Sequence, residues 1–411
     1  MRITNQASPL RVVLYSHDTM GLGHMRRNLS IARALVGSGT RTNVLMLTGA
    51  NIATGFAMPR GVDCITLPGL YKEPDGNYRS RSLGLSLDEL INLRAMTIRG
   101  ALEAYQPDVL IVDNVPRGVN GEIEGALEQL CDRGETRCVL GLRDILDDPD
   151  RVRKEWKQRA NEACIQQYYD AVWVYGDPDF YDSASEYAFS DQVKRKLHYT
   201  GYLNRGLNPD TTANVKQQAC DTLDLPPGET LLCLAGGGQD GSALAQLVCE
   251  ARLPAEMNLV VLTGPFMPSA MRQRLRAHAA ANPRFRVAEF HPEPTRLMAR
   301  ADRIISMGGY NTISEILSLE KRALIVPRVS PRREQLIRAE RLEKLGLLDV
   351  LHPSKVKPES ITGWLQHDLA PPRCASELID FGGLQRIPSL LNRVMGNSRS
   401  VTCCAAAGGQ A

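Results

Sequence analysis

A chain of 411 residues, at roughly 150 per domain, is too long for a single small binding module and predicts two or three domains. Hydrophobic residues make up 43% and charged residues 23%, proportions that suit a soluble globular protein with a sizeable core and exclude a globally disordered chain. Lys and Arg number 49 against 46 Asp and Glu, a net charge of +3, which argues against a nucleic-acid partner because such proteins concentrate basic residues in a stripe.

The first eighteen residues, MRITNQASPLRVVLYSHD, lack the apolar stretch and small-residue cleavage site of a secretory signal. No uninterrupted apolar run reaches the roughly 18 residues of a membrane span. The expectation is a cytoplasmic protein, with peripheral contact at the inner face of a membrane left open. Ten cysteines are scattered without a CxxC pair, so reduced thiols are expected rather than disulfides or zinc. The tail 397–411 is expected to be disordered.

Short apolar runs alternate with longer stretches of helical period, the pattern of parallel strands joined by crossover helices, so the fold class is α/β. In the first half, strands are expected at 11–16, 43–47, 64–67, 109–113, 138–142 and 171–175, with helices at 26–36, 87–105, 121–131 and 151–168. A second series follows the cluster Leu225-Pro226-Pro227-Gly228, with strands at 230–235, 258–262, 285–288, 303–306 and 323–326 and helices at 242–251, 268–281, 294–299, 312–319 and 332–345. Two doubly wound domains, 1–215 and 216–375, would face each other across a cleft. A final helical stretch, 376–396, is placed to pack back on the first domain.

Strand-to-helix loops carry the chemistry. The first runs Ser16-His17-Asp18-Thr19-Met20-Gly21-Leu22-Gly23-His24 into a helix that begins Met25-Arg26-Arg27. Gly21 and Gly23 permit a tight turn and a close approach to a ligand, and the free N–H groups of a helix start suit an anion. The second domain opens with Gly236-Gly237-Gly238-Gln239-Asp240-Gly241, where missing Cβ atoms expose successive backbone amides to a phosphate. A third loop reads Met307-Gly308-Gly309-Tyr310-Asn311-Thr312-Ile313-Ser314-Glu315. Thr312 and Glu315 have capping-box spacing, while an acid at 315 also suits a ribose diol; spacing leaves both roles open. Arg328, Arg332 and Arg333 after the last strand are placed to steer a diphosphate or to form a solvated helix face.

Together, GLGH, GGGQDG, GGYNTISE and PRREQLIRAERLEKLG resemble the MurG-type branch of the GT-B glycosyltransferases, over essentially both domains. The resemblance implies a UDP-sugar held by the second domain and an unidentified hydroxyl acceptor, lipid-linked or polysaccharide, held by the first. It implies Gly237, Gly238 and Gln239 at the diphosphate, with Gly308, Gly309, Asn311 and Thr312 giving a helix start access to the phosphates. It further implies Glu315 at the ribose, Phe290 at the uracil, and Glu334 and Gln335 at sugar hydroxyls. Beyond the sugar nucleotide itself, which acts as co-substrate, it implies no cofactor. The first loop, with His17, Asp18 and Met20, is poorer in glycine than in that family, and GLGHMRR also resembles PseG-type nucleotide-sugar hydrolases, in which a histidine here activates water. Transfer, hydrolysis and non-catalytic nucleotide-sugar binding therefore stand as alternatives.

A displacement at the anomeric carbon needs a base for the incoming hydroxyl. His24 is the first candidate, because an ordinary imidazole titrates near pH 6.5; Asp113, at a strand end, is the second and Asp18 the third. Asp148-Pro149-Asp150 and Asp177-Pro178-Asp179 present paired carboxylates, but Asp followed by Pro more often opens a helix, so no metal is expected. The basic stretch 151–168, with Val152, Trp156 and Ala160 on one side, either touches anionic lipid or packs on its own domain.

Overall fold

The computed structural model describes residues 8–18, 22–50, 56–72, 77–204, 225–237, 240–291, 294–367 and 372–396. The expected domain boundary at 215, the tail 397–411, and Gly21, Gly238 and Gln239 lie outside the described residues.

Strands β1 (Leu10–Ser16), β2 (Thr42–Thr48), β3 (Val62–Thr66), β6 (Val109–Asp113), β7 (Arg137–Arg143), β8 (Ala171–Tyr175) and β9 (Leu197–Tyr199) form a parallel sheet in the order β3-β2-β1-β6-β7-β8-β9. Strands of the LIVD and AVWVY kind are apolar throughout because helices cover both faces; every residue of β6 and β8 is buried. A short antiparallel pair, β4 (Leu70–Lys72) and β5 (Tyr78–Ser80), escaped the sequence pattern. The second sheet is also parallel: β10 (Thr230–Leu234), β11 (Asn258–Leu262), β12 (Phe285–Ala288), β13 (Arg303–Ser306), β14 (Arg322–Ile325) and β15 (Asp349–Val350), in the order β12-β11-β10-β13-β14-β15. The two doubly wound domains expected from the strand and helix rhythm are thus present.

In each sheet the order reverses beside its first strand, between β1 and β6 and between β10 and β13. Connections leave in opposite directions at such a point and open a crevice at the carboxyl ends of the strands. Gly23, His24 and Asp113 sit at the first crevice, and Gly236, Gly237, Gly308 and Gly309 sit at the other.

Helix boundaries move where local chemistry outweighs periodicity. The long helix Leu87–Tyr105 starts where expected, with Ser86 and Glu89 forming a full capping box. The stretch read as one helix over 151–168 is two, Pro149–Gln158 and Asn161–Tyr168, because Ala160 adopts φ 47° and breaks the ladder. The helix read at 312–319 runs Tyr310–Ser318.

After Leu203 the chain enters the second domain and returns at Gly382, where the two passes form an antiparallel bridge. Asp177 fastens the return by accepting the Asp380 N–H at 2.8 Å. The final helix, Gly383–Gly396, buries Leu384, Ile387, Leu390, Leu391 and Val394 and packs on the first-domain helix Gly23–Val36, so the C-terminal segment does return to the first domain. The seven described cysteines are free thiols. Among the described residues no helix is long and apolar enough to cross a membrane.

Candidate functional site

A cavity of about 460 Å³ lies between the domains and brings His24, Gly23, Gly237, Phe290, Gly308, Gly309, Asn311, Thr312, Glu315, Glu334 and Gln335 onto one set of walls. Asp113 stands directly behind His24, which holds its carboxylate at 2.5 Å through Nδ1. Arg27, one helical turn beyond His24, donates to both oxygens of Asp113 at 2.6 and 2.7 Å from Nη2, and from Nε at 3.1 Å.

Burial alone would push the Asp113 carboxyl up, but the Arg27 guanidinium and the neighbouring His24 outweigh it and hold it well below the usual carboxylate range. An ionised Asp113 can only accept, so His24 Nδ1 carries the hydrogen and Nε2 is the ring nitrogen left for a ligand. Nε2 has no hydrogen-bond partner among the described residues, and His24 lines the cavity. The carboxylate is fully buried and committed to two partners; it orients the imidazole and is not a second free base. Asp18 is also committed. It adopts φ 42° and accepts from Ser16 Oγ and Thr48 Oγ1, each at 2.6 Å, and from the Met25 N–H at 2.9 Å, fixing the start of the helix.

His17 escaped assignment although it lies in the same loop. It is buried against His24, with ring centroids 4.8 Å apart, and its Nδ1 has no hydrogen-bond partner. Burial, with His24 adding to it, holds the imidazole well below its ordinary range, so the ring is neutral.

On the opposite wall, Gly308 has φ 78° and lies against Ile325, which a Cβ would meet at 2.7 Å. Only glycine lets β13 turn into the Tyr310–Ser318 helix there. Gly264 has φ 76° and presses on the glycine loop, where a Cβ would meet Gly236 O at 2.4 Å. Gly309 is the N-cap of the Tyr310 helix and offers no side chain to its free N–H groups, so the first turn, with Asn311 and Thr312, opens on the cavity. Phe290 packs edge-on to Phe56 of the first domain at 5.3 Å.

The capping-box reading of Glu315 fails. The helix starts two residues before Thr312, and Glu315 instead accepts from Thr295 Oγ1 at 3.0 Å and from Arg26 Nη2 at 2.9 Å, the latter across the cleft. Its second oxygen is buried without a partner. Glu334 is buried and accepts from Arg328 Nη2 at 2.9 Å, while the main-chain N–H of Arg328 donates to Gln335 Oε1 at 3.0 Å. Burial would raise the Glu334 carboxyl, but Arg143, Arg328 and Arg338 together hold it below its usual range. Of the three arginines read as diphosphate-steering, Arg328 is held between Glu334 and Asp240. Arg332 and Arg333 turn to Asp147, Asp148 and Glu155 of the first domain. Arg143, which sequence reasoning missed, lines the cavity 3.9 Å from Glu334 and donates no hydrogen bond among the described residues.

Beneath the cavity the domains are joined by a buried pair. Arg338 donates to both oxygens of Asp144 at 2.8 and 2.7 Å, and Tyr202 Oη donates to the same carboxylate at 2.6 Å. The Tyr310 ring stacks on Tyr202, with Arg27 and Arg338 lying over it at 5.6 and 5.8 Å. The paired-aspartate motifs have structural uses: Asp148 caps the Asp150 N–H at 3.2 Å ahead of Pro149, and Asp177 holds a turn rather than opening a helix. Trp156 stacks on Phe189 at 4.8 Å, so the apolar side of the basic stretch packs on its own domain.

Residues 231–377 match the glycosyltransferase family 28 C-terminal domain. The chain is similar to the UDP-N-acetylglucosamine--N-acetylmuramyl-(pentapeptide) pyrophosphoryl-undecaprenol N-acetylglucosamine transferase of Streptococcus pneumoniae (strain Hungary19A-6), 31% identical over 139 residues, which are 33% of this chain and 37% of the relative. The chain thus spans little more than a third of that relative's length. Among solved structures, the glycotransferase of kitacinnamycin superposes with a TM-score of 0.60 at 16% identity, covering 94% of this chain and all of the other. MurG of Acinetobacter baumannii does so with a TM-score of 0.56 at 15% identity, over 94% of this chain and 100% of that one. At such identities the structural likeness establishes the two-domain GT-B fold, and the family 28 match, over residues 231–377, lies within the second domain.

Proposed function

We propose that the protein is a glycosyltransferase that moves a hexosyl or N-acetylhexosaminyl group from a UDP-sugar to the hydroxyl of a lipid-linked or polysaccharide acceptor, at the cytoplasmic face of a membrane. The observation that carries this reading is the His24–Asp113 pair on one wall of the cavity, facing glycine loops and an uncapped helix start on the other.

In this reading the acceptor hydroxyl gives its proton to His24 Nε2 as its oxygen bonds to the anomeric carbon. The bond from that carbon to the diphosphate breaks, and UDP leaves with the electron pair. Asp113 stabilises the imidazolium that forms, as the third member of a nucleophile–base–orienter set does elsewhere. Backbone N–H groups near Gly237, Gly308 and Gly309 take the developing phosphate charge. Gly238 and Gln239 retain their diphosphate role in the proposal, Glu315 the ribose, Phe290 the base, and Glu334 with Gln335 the sugar hydroxyls. No metal is required.

The test is UDP release from a panel of UDP-sugars, with and without hydroxyl acceptors and with EDTA present. Turnover that needs an acceptor and survives EDTA is expected, and His24→Ala should lower it roughly 10²- to 10⁴-fold while leaving UDP affinity nearly unchanged. Equal release of free sugar without any acceptor would instead assign hydrolysis, with the same pair activating water; full turnover in His24→Ala would remove the pair from the mechanism.

A further inference from the structure

The cavity holds an ion pair at the carboxylate assigned above to the ribose. Arg26, in the first turn of the Gly23–Val36 helix, reaches across the cleft and donates to Glu315 Oε1 at 2.9 Å. Close by, Asn311 Nδ2 donates to Gly23 O at 2.9 Å, so the starts of the two helices that face the cavity touch. Glu315 is poorly served by this arrangement. Its Oε2 is buried with no donor, and the side chains of Arg26 and Glu315 are 18% and 9% exposed. A vicinal diol presents two O–H donors and satisfies both oxygens, which one guanidinium bond does not.

Of the other cavity arginines, Arg159 faces Glu155 at 3.9 Å on the exposed rim, and the rest stand elsewhere. Arg27 is locked on Asp113, Arg328 lies between Asp240 and Glu334, and Arg332 is held by Asp147 and Glu155. Arg143 stands at Glu334, on the wall assigned above to the sugar. Arg26 alone among these is tied to a carboxylate that the nucleotide itself would claim.

We infer that Arg26 exchanges partners: without ligand it occupies Glu315, and when the ribose diol takes Glu315 the freed guanidinium moves to the diphosphate and supplies the cation that a metal-independent departure of UDP needs. This rests on the nucleotide-sugar reading above and adds to it a positioning contact from the acceptor-side domain. A planar guanidinium matches two phosphate oxygens in a charge-assisted fork, and the move trades one partly exposed carboxylate contact for a doubly charged group.

Calorimetry of the full chain with uridine and with UDP separates this exchange from simple scaffolding. Uridine displaces Arg26 and gains nothing from it afterwards, so Arg26→Ala should bind uridine roughly two- to fivefold tighter, the scale of a partly exposed ion pair. UDP also loses a charged contact, so the same variant should bind it roughly ten- to hundredfold more weakly. Arg26→Lys should recover part of the UDP affinity, since the charge remains and the fork does not. Uridine and UDP affinities that change in the same direction, or not at all, overturn the exchange while leaving the nucleotide site intact. If the wild-type chain binds neither uridine nor UDP, the nucleotide reading itself fails and the exchange fails with it. Arg26→Gln, which keeps a long polar side chain, repeats the comparison should Arg26→Ala fold poorly.

Discussion

Two of the ion pairs that join the domains differ in almost every respect that matters. Arg338–Asp144 lies at the base of the cleft with side chains 0% and 1% exposed, a bidentate fork and a third bond from Tyr202. Arg26–Glu315 lies at the ligand-facing wall, with a single guanidinium bond, a Thr295 hydroxyl on the same oxygen, and an orphaned Oε2. Isolating two charges from water is costly, and the deep pair offsets that cost through three hydrogen bonds that reach both carboxylate oxygens. The upper pair meets its requirement halfway. One contact fixes the base about which the domains stand; the other is available for replacement.

The largest expected effect tests the base. Arg338→Ala leaves Asp144 buried with only the Tyr202 hydroxyl, and should cost about 3 to 5 kcal/mol of stability in urea unfolding; a loss no larger than that of a surface variant would erase the distinction between the two pairs. A smaller effect is expected in acid. Asp113 anchors Arg27, whose guanidinium lies over the Tyr310 ring of the other domain. Its carboxyl is held low in the folded state, so its stabilising contribution is complete above the ordinary carboxylate pKa of about 4 and is lost as pH falls toward the depressed folded value. Urea midpoints measured between pH 7 and pH 3 should therefore fall in the wild type, and more shallowly in Asp113→Asn. Parallel slopes would mean that another carboxylate governs the acid limb. The smallest effect is at Tyr310, whose hydroxyl accepts the Leu203 N–H at 3.1 Å. Tyr310→Phe should cost about 0.5 to 1.5 kcal/mol, measurable as a small drop in melting temperature.

Much of the frame was legible in the sequence, because doubly buried strands are written as unbroken apolar runs and the loops after β1, β10 and β13 as glycines. The His24 loop was visible for the same reason. What stayed hidden depends on distance along the chain. Asp144 and Arg338 are 194 residues apart and Arg26 and Glu315 are 289 apart, and no local pattern marks either pair. Asp113 was found as a strand-end acid, yet its service to His24 depends on Arg27, which looks from the sequence like one more basic residue on a helix. Glu315 shows the limit of spacing: the capping-box alternative it left open falls away once the helix begins at Tyr310. The β4–β5 pair and the two-residue β15 are too short to leave a periodic trace.

The bridge between Leu203 and Gly382 has a consequence for how such a protein can be altered. The second domain leaves the first and rejoins it at one doorway, so in topology it is a cassette inserted into a host that closes its own structure with the Gly383–Gly396 helix. Any exchange of that cassette must therefore keep its two ends adjoining, and must also keep the surface that meets Asp144, Asp147 and Tyr202, because one buried cluster runs through both halves.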